Sequence, residues 1–267
     1  MTLKLLGILN ITEDSFSDGG RYLDPQKAIA RGEYLAQNGA DIIDLGAASS
    51  NPDGKPVAPD VEIARLAPVV AALRAKGVPV SVDTFSPEVQ LWAVGQGVDY
   101  INDVQGFRHP EIYERLAGSQ AKLIVMHAVQ DGARAERVAV SPADILDRVL
   151  TFFGRRLPRL EAAGIARDRL ILDPGMGFFL GSDPEASYEV LRHLETLKGA
   201  FSLPVLVSVS RKSFLRKITG KAPQEAGAAT LAAELFAAAK GADYIRTHEP
   251  GALKDGLLVH RALGGPG

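Results

Sequence analysis

The chain has 267 residues, enough for two average domains, yet barrels of alternating strand and helix use about 250 as a single domain. A net charge of -2 gives no electrostatic footprint for nucleic acid or acidic lipid, so an anionic ligand must be held by local groups. The lack of cysteine excludes disulfides, thiolate metal sites and a thiol nucleophile and suits a reducing cytoplasm. The first apolar run is too short for a signal peptide, and no window reaches the length of a membrane span.

In chain order, LLGILN closes on Asn10 and reads as a strand, followed by a loop rich in Ser, Asp and Gly. Asp24 and Pro25 open a helix to Asn38, closed by Gly39. DIIDLG, from Asp41 to Gly46, is the next strand and leads into SSNPDGKP. A helix from Val61 to Lys76 precedes VPVSVD, ending at Asp83, and a helix from Pro87 to Gln96 precedes DYINDV, with Asn102 and Asp103. After a helix around Pro110 to Ala117 comes KLIVMH, ending at His127, then an Arg-rich loop and a long helix from Pro142 to Ala163.

LILDPG follows, a buried apolar run stopped by Asp173. A helix from Pro184 to Leu197 leads to PVLVSVSRKS, one from Gln224 to Ala239 leads to ADYIRTHEP, and Gly251 to Leu263 is the last helix. Eight strand-helix units predict parallel crossovers and a closed (β/α)₈ TIM barrel, with an open doubly wound sheet as the alternative. No linker or compositional break marks a second domain, so residues 1–267 read as one.

In such a barrel the loops after the strands share one mouth. The strand ends deliver Asn10, Asp44, Asp83, Asn102 with Asp103, His127, Asp173, Ser210 with Arg211 and Lys212, and Arg246 with His248. Singly these are turn formers, satisfied histidines or solvated charges. Together they offer acceptors and donors suited to a flat, nitrogen-rich heterocycle, read by Asp83, Asn102 and Asp173. Lys212, Arg246 and His248 stand on the last two strands, where barrels often bind phosphate, so a phosphorylated heterocycle is expected. No Gly-rich phosphate loop, HExxH or zinc-type histidine spacing occurs. A hydrated Mg²⁺ would need only one protein oxygen, which Asn10 could supply.

The motifs GILNITEDSFSDGG, SVDT, INDV, MH, DPGMGF, SRKSF and RTH, in this order, resemble dihydropteroate synthases across essentially the whole chain. The resemblance implies a homodimeric barrel that condenses 6-hydroxymethyl-7,8-dihydropterin diphosphate with 4-aminobenzoate to dihydropteroate and diphosphate. It implies Asp83, Asn102, Asp173 and Lys212 as pterin binders and Arg246 and His248 as diphosphate binders. Asn10 would touch Mg²⁺, and Asp18 would stabilise the reacting centre. Ser50 and Asn51 would meet substrate from the second loop, and Pro52, Phe178 and Ser213 would line the aminobenzoate site. Gly19, Gly20 and Gly54 would let the first two loops close as lids.

Departures from the usual family pattern agree with one another: Glu13 for proline, Ala48 for glutamate, Asn51 for arginine, and a two-residue insertion after DPGMGF that holds Phe179. NITEDSF, SSNPD, QGF, DPGMGFFLG, SVSRKSFL and RTHEPG resemble the acquired, sulfonamide-insensitive synthases of resistant bacteria. A pterin-dependent methyltransferase and a catalytically silent pterin-binding paralogue are the alternatives. The first lacks a use for the SRKS and RTH cations, and the second would have lost Asn10 or Lys212.

Overall fold

A computed structural model describes residues 2–12, 22–49, 54–130 and 138–265. Eight parallel strands, β1 (Lys4–Asn10), β2 (Ile42–Gly46), β3 (Val80–Asp83), β4 (Tyr100–Asp103), β5 (Lys122–Met126), β6 (Leu170–Asp173), β7 (Leu206–Val207) and β8 (Tyr244–Thr247), form one sheet in the order β6-β5-β4-β3-β2-β1-β8-β7. A parallel bridge between Leu172 and Val205, with the Leu172 N–H donating to Pro204 O at 2.9 Å, joins the two ends. The result is a (β/α)₈ barrel.

Between the strands run α1 (Pro25–Gln37), α2 (Pro59–Ala75), α3 (Pro87–Gln96), α4 (Tyr113–Ala117), α5 (Ile145–Ala162), α6 (Pro184–Arg192), α7 (Leu194–Phe201), α8 (Ser213–Thr219) and α9 (Gly227–Ala239), and α10 (Pro250–Ala262) follows β8. Their starts follow the local chemistry. Asp24, Ser86 and Asp183 each accept an N–H of the first turn, and a proline stands at the start of α1, α3 and α6, where its missing donor costs nothing.

Strand alternation sorts the core into two shells. Leu6, Ile42, Tyr100, Ile124, Ile171, Leu206 and Tyr244 fill the barrel interior. Their neighbours Leu5, Ile43, Ile101, Leu123, Val125, Leu170, Leu172, Val207 and Ile245 face outward and pack in the larger cluster with the helices. Two residues beyond the interior layer, the same inward parity falls on Asp44, Asn102, Met126, Asp173 and Arg246, and on Asp83 two after Ser81. An apolar floor therefore carries a polar layer at the C-terminal end, which is the mouth.

Several boundaries differ from expectation. The long helix expected from Pro184 to Leu197 is two, because His193 leaves helical geometry at φ -115°, ψ 27°. The expected strand PVLVSVS keeps only two ladder residues: the Asp243 carboxylate takes the Val205 N–H at 3.0 Å, and Lys212 N–H turns back to Val209 O at 3.1 Å. A short helix, α8, ended by Gly220 at φ 67°, follows SRK before the helix expected from Gln224.

Candidate active site

Arg246 lies at the centre of the mouth. Its Nε donates to Asp44 Oδ2 at 2.5 Å and its Nη2 to Asp83 Oδ2 at 2.6 Å, tying β8 to β2 and β3. Asp44 is fully buried, so an uncompensated charge there would be costly, and the guanidinium supplies the compensation. Burial alone would lower the Arg246 pKa, but Asp44, Asp83 and Asp173 outweigh it and hold the guanidinium protonated. Asp44 was expected only as a strand-end residue, and its pairing with Arg246 is an addition to the site.

Burial raises the pKa of the carboxylates on the acidic side of the mouth. Burial pushes Asp83 up to about 7 against the pull of Arg246, with Asp44, Glu62 and Asp103 pushing the same way as burial. Asp173 rises to about 6, burial being opposed by the Gly175 N–H, Lys212 and Arg246. The Asp173 carboxylate accepts that N–H at 2.8 Å, closing a turn that only glycine fits, since Gly175 sits at φ 75° and a Cβ there would collide with the His127 carbonyl. Lys212, beside both carboxylates, is lowered to about 8 by burial and then by Arg246. Among the described residues, Asn102 Oδ1 and Asp44 Oδ1 are buried without a hydrogen-bond partner. Unused buried acceptors at the mouth suit a ligand rich in N–H donors.

His248 adjoins this cluster. Its Nδ1 is 2.8 Å from Ser210 Oγ, its backbone N–H donates to the same oxygen at 3.2 Å, and its carbonyl accepts from Arg31 Nη2 at 3.2 Å. Burial and the cations Arg211, Arg246, Lys212 and Arg31 lower its pKa well below the ordinary value. Behind β8, the buried Glu234 of α9 hydrogen-bonds Thr247, and burial raises its pKa to about 8.

Other strand-end residues serve the framework. His127 Nδ1 lies 3.0 Å from Pro174 O, its ring packs edge-on to Phe152, and burial lowers its pKa to about 4, as in a satisfied core histidine. Asp103 has outward parity and accepts from Gln90 Nε2 and from the Gln105 and Phe107 N–H groups. Arg211, at φ 59°, turns to Glu249 at 2.8 Å, so of the two adjacent cations Lys212 is the one in the mouth.

Phe178 and Ser213 line a cavity of about 460 Å³ that extends to Arg216, Lys217 and Lys221. Phe179 is buried beside it, packed with Val104 and Met126 and with Phe85, Ala128 and Phe178 around them, and Lys212 Nζ stands 5.1 Å from its ring centre. Asn10, half-buried at the end of β1, points Oδ1 across Gly46: a Cβ on that glycine would stand 3.5 Å from Asn10 Oδ1 and 3.8 Å from Asp83 Oδ2. Asp18, Ser50, Asn51 and Pro52, with Glu13, Gly19 and Gly20, lie outside the described residues.

The chain matches the pterin binding enzyme family over residues 6–248. It is 58% identical to dihydropteroate synthase type-2 of Escherichia coli over 98% of this chain and 96% of that protein. Among solved structures, the Yersinia pestis dihydropteroate synthase with a sulfonamide drug complex superposes with a TM-score of 0.91 at 32% identity, covering 98% of this chain and 94% of that one. The Xanthomonas albilineans enzyme with 4-aminobenzoic acid superposes at 0.88 with 37% identity, covering 98% and 93%. With its eight-stranded barrel and its polar mouth, the chain belongs to the pterin binding enzyme family, and within it to the dihydropteroate synthases.

Proposed function

We propose that the chain condenses 6-hydroxymethyl-7,8-dihydropterin diphosphate with 4-aminobenzoate to dihydropteroate and diphosphate, and that it does so in a sulfonamide-insensitive form. The observation that carries this reading is the inward polar layer of Asp44, Asp83, Asn102, Asp173 and Arg246, with buried acceptors that await donors. Asp83 has one oxygen committed to Arg246, and its other oxygen, with Asn102 and Asp173, would accept from the pterin ring. Arg246 uses two of its donors on carboxylates, and its remaining N–H groups, with those of Lys212 and His248, would hold the diphosphate.

Mg²⁺ would fit this mouth as a mostly hydrated ion: no cluster of three acidic or imidazole ligands exists among the described residues, and Asn10 Oδ1, which like Asp83 Oδ2 lies within 4 Å of where a Gly46 Cβ would stand, would supply a single protein oxygen. When bound, the ion would offset charge on the departing diphosphate. The reaction breaks the C–O bond at the exocyclic methylene, with the electron pair leaving on diphosphate, and forms a C–N bond to the arylamine, which then sheds a proton. Developing positive charge on the methylene favours the ionised forms of Asp173 and, from the first loop, Asp18. A neutral arylamine needs no covalent enzyme nucleophile. The cavity between Phe178 and Ser213 would take the aminobenzoate, with Ser50, Asn51 and Pro52 of the second loop closing over the substrates and excluding water.

Exposed apolar side chains on α8 to α10, Ile218, Phe236, Leu258 and Val259, support pairing with a second copy, as a homodimer. No described helix is long and apolar enough to cross a membrane; a cytoplasmic, single-domain enzyme is the reading we adopt. Calorimetric titration of Asp173→Ala with the pterin diphosphate tests the pocket. Binding should be lost with the fold intact, and wild-type affinity would defeat the assignment.

A further inference from the structure

Ser210 Oγ stands between two nitrogens of one residue, 3.2 Å from the His248 backbone N and 2.8 Å from its Nδ1. The backbone N–H can only donate, so Oγ accepts there. Ser210 is 5% exposed, which makes an idle hydroxyl proton costly, and among the described residues the acceptor at hand is Nδ1. If the hydroxyl donates to Nδ1, that nitrogen bears no proton, and the imidazole proton must be on Nε2. An imidazolium would instead place a second donor on Oγ and a further positive charge among Arg31, Arg211, Lys212 and Arg246.

We infer that Ser210 is a positioning residue that fixes His248 as the neutral Nε2–H tautomer, so that His248 meets a phosphate oxygen as an uncharged hydrogen-bond donor. The inference rests on the proposed diphosphate site. It adds a division of labour: Arg246 and Lys212 supply charge, while His248 supplies direction and cannot act as a base at Nε2. Ser210 precedes Arg211, which has a left-handed backbone at φ 59° and pairs with Glu249 at 2.8 Å, while Ser210 and Lys212 on either side of it belong to the mouth.

Long-range ¹H–¹⁵N spectra of histidine-labelled protein, with His248 assigned by its loss in His248→Gln, read the tautomer without ligand. The wild type should show one neutral Nε2–H form at pH 7. Ser210→Ala should show a tautomer mixture and bind inorganic diphosphate about tenfold more weakly, and Ser210→Thr should restore both. An imidazolium or an Nδ1–H form in the wild type overturns the inference, as does a Ser210→Ala protein that keeps tautomer and affinity and loses only thermal stability. If the wild type shows the Nε2–H form and Ser210→Ala the mixture, but neither binds diphosphate, the diphosphate site is wrong while the Ser210 pairing stands.

Discussion

Replacing Phe179 with alanine perturbs two things at once. The ring is 5% exposed and packs in a small cluster with Val104 and Met126, and it lies 5.1 Å from Lys212 Nζ. Truncating a buried phenylalanine costs about 3–5 kcal/mol in a large core; this cluster lies at the rim and can relax, so about 3 kcal/mol is the expected loss. At roughly 2–4 °C per kcal/mol for a chain of this size, Tm should fall by about 6–12 °C. Loss of the ring face under the ammonium removes about 1 kcal/mol from Lys212, which corresponds to roughly a fivefold rise in KM for the pterin diphosphate.

The drug arm has a different sign. A sulfonamide carries a tetrahedral sulfonyl with a further substituent where 4-aminobenzoate has a planar carboxylate. If Phe179 and its insertion narrow that end of the pocket, a clash of roughly 3 kcal/mol gives more than a hundredfold discrimination. Steady-state kinetics with 4-aminobenzoate and a sulfonamide should show inhibition gained by about that factor, with a much smaller change in KM for 4-aminobenzoate. A Phe179→Ala enzyme as drug-insensitive as its parent rules out the clash, and so do substrate and drug affinities that move in parallel.

Arg246→Ala leaves Asp44 and Asp83 without their shared cation, and the cost of breaking such a buried pair is about 3–5 kcal/mol. Calorimetry should show pterin diphosphate weakened more than the non-phosphorylated pterin, and equal losses would remove the diphosphate role. Glu234 binds its proton more tightly when folded, its pKa rising from 4.5 to about 8. Its contribution is therefore full below 4.5, declines as pH rises and is gone above about 8, by roughly 1.4 kcal/mol per unit at most. Glu234→Gln should flatten the fall in thermal stability between pH 5 and 8, and an unchanged slope contradicts a buried neutral carboxyl. Asn10→Ala should raise the Mg²⁺ concentration needed for half-maximal rate, whereas an unchanged Mg²⁺ dependence removes Asn10 as a ligand.

The ends of the apolar strand runs made much of the mouth readable in the sequence. Leu170, Ile171 and Leu172 run to Asp173 with no polar interruption, whereas Asn102 and Asp103 stand together at a strand end and only the inward parity of the folded strand separates them. What parity cannot supply is pairing across the barrel. Arg246 meets Asp44 and Asp83 from 202 and 163 positions away, and the Ser210 bond to His248 spans 38. The sequence presents these as separate charges and hydroxyls. His127 carried the same ambiguity: a histidine at a strand end reads as a site residue until its Nδ1 is found beside Pro174 O. The break at His193 and the short β7 were hidden for a related reason, since apolar periodicity continues through both while single side chains and backbone angles decide where the ladder stops.

In the proposed reaction one mouth carries both the pterin diphosphate and the arylamine through a single displacement. Release of diphosphate from 6-hydroxymethyl-7,8-dihydropterin diphosphate, followed with and without 4-aminobenzoate, tests it most directly. Release should depend on 4-aminobenzoate and match the dihydropteroate formed, mole for mole. Tight pterin binding with no arylamine-dependent release would contradict it.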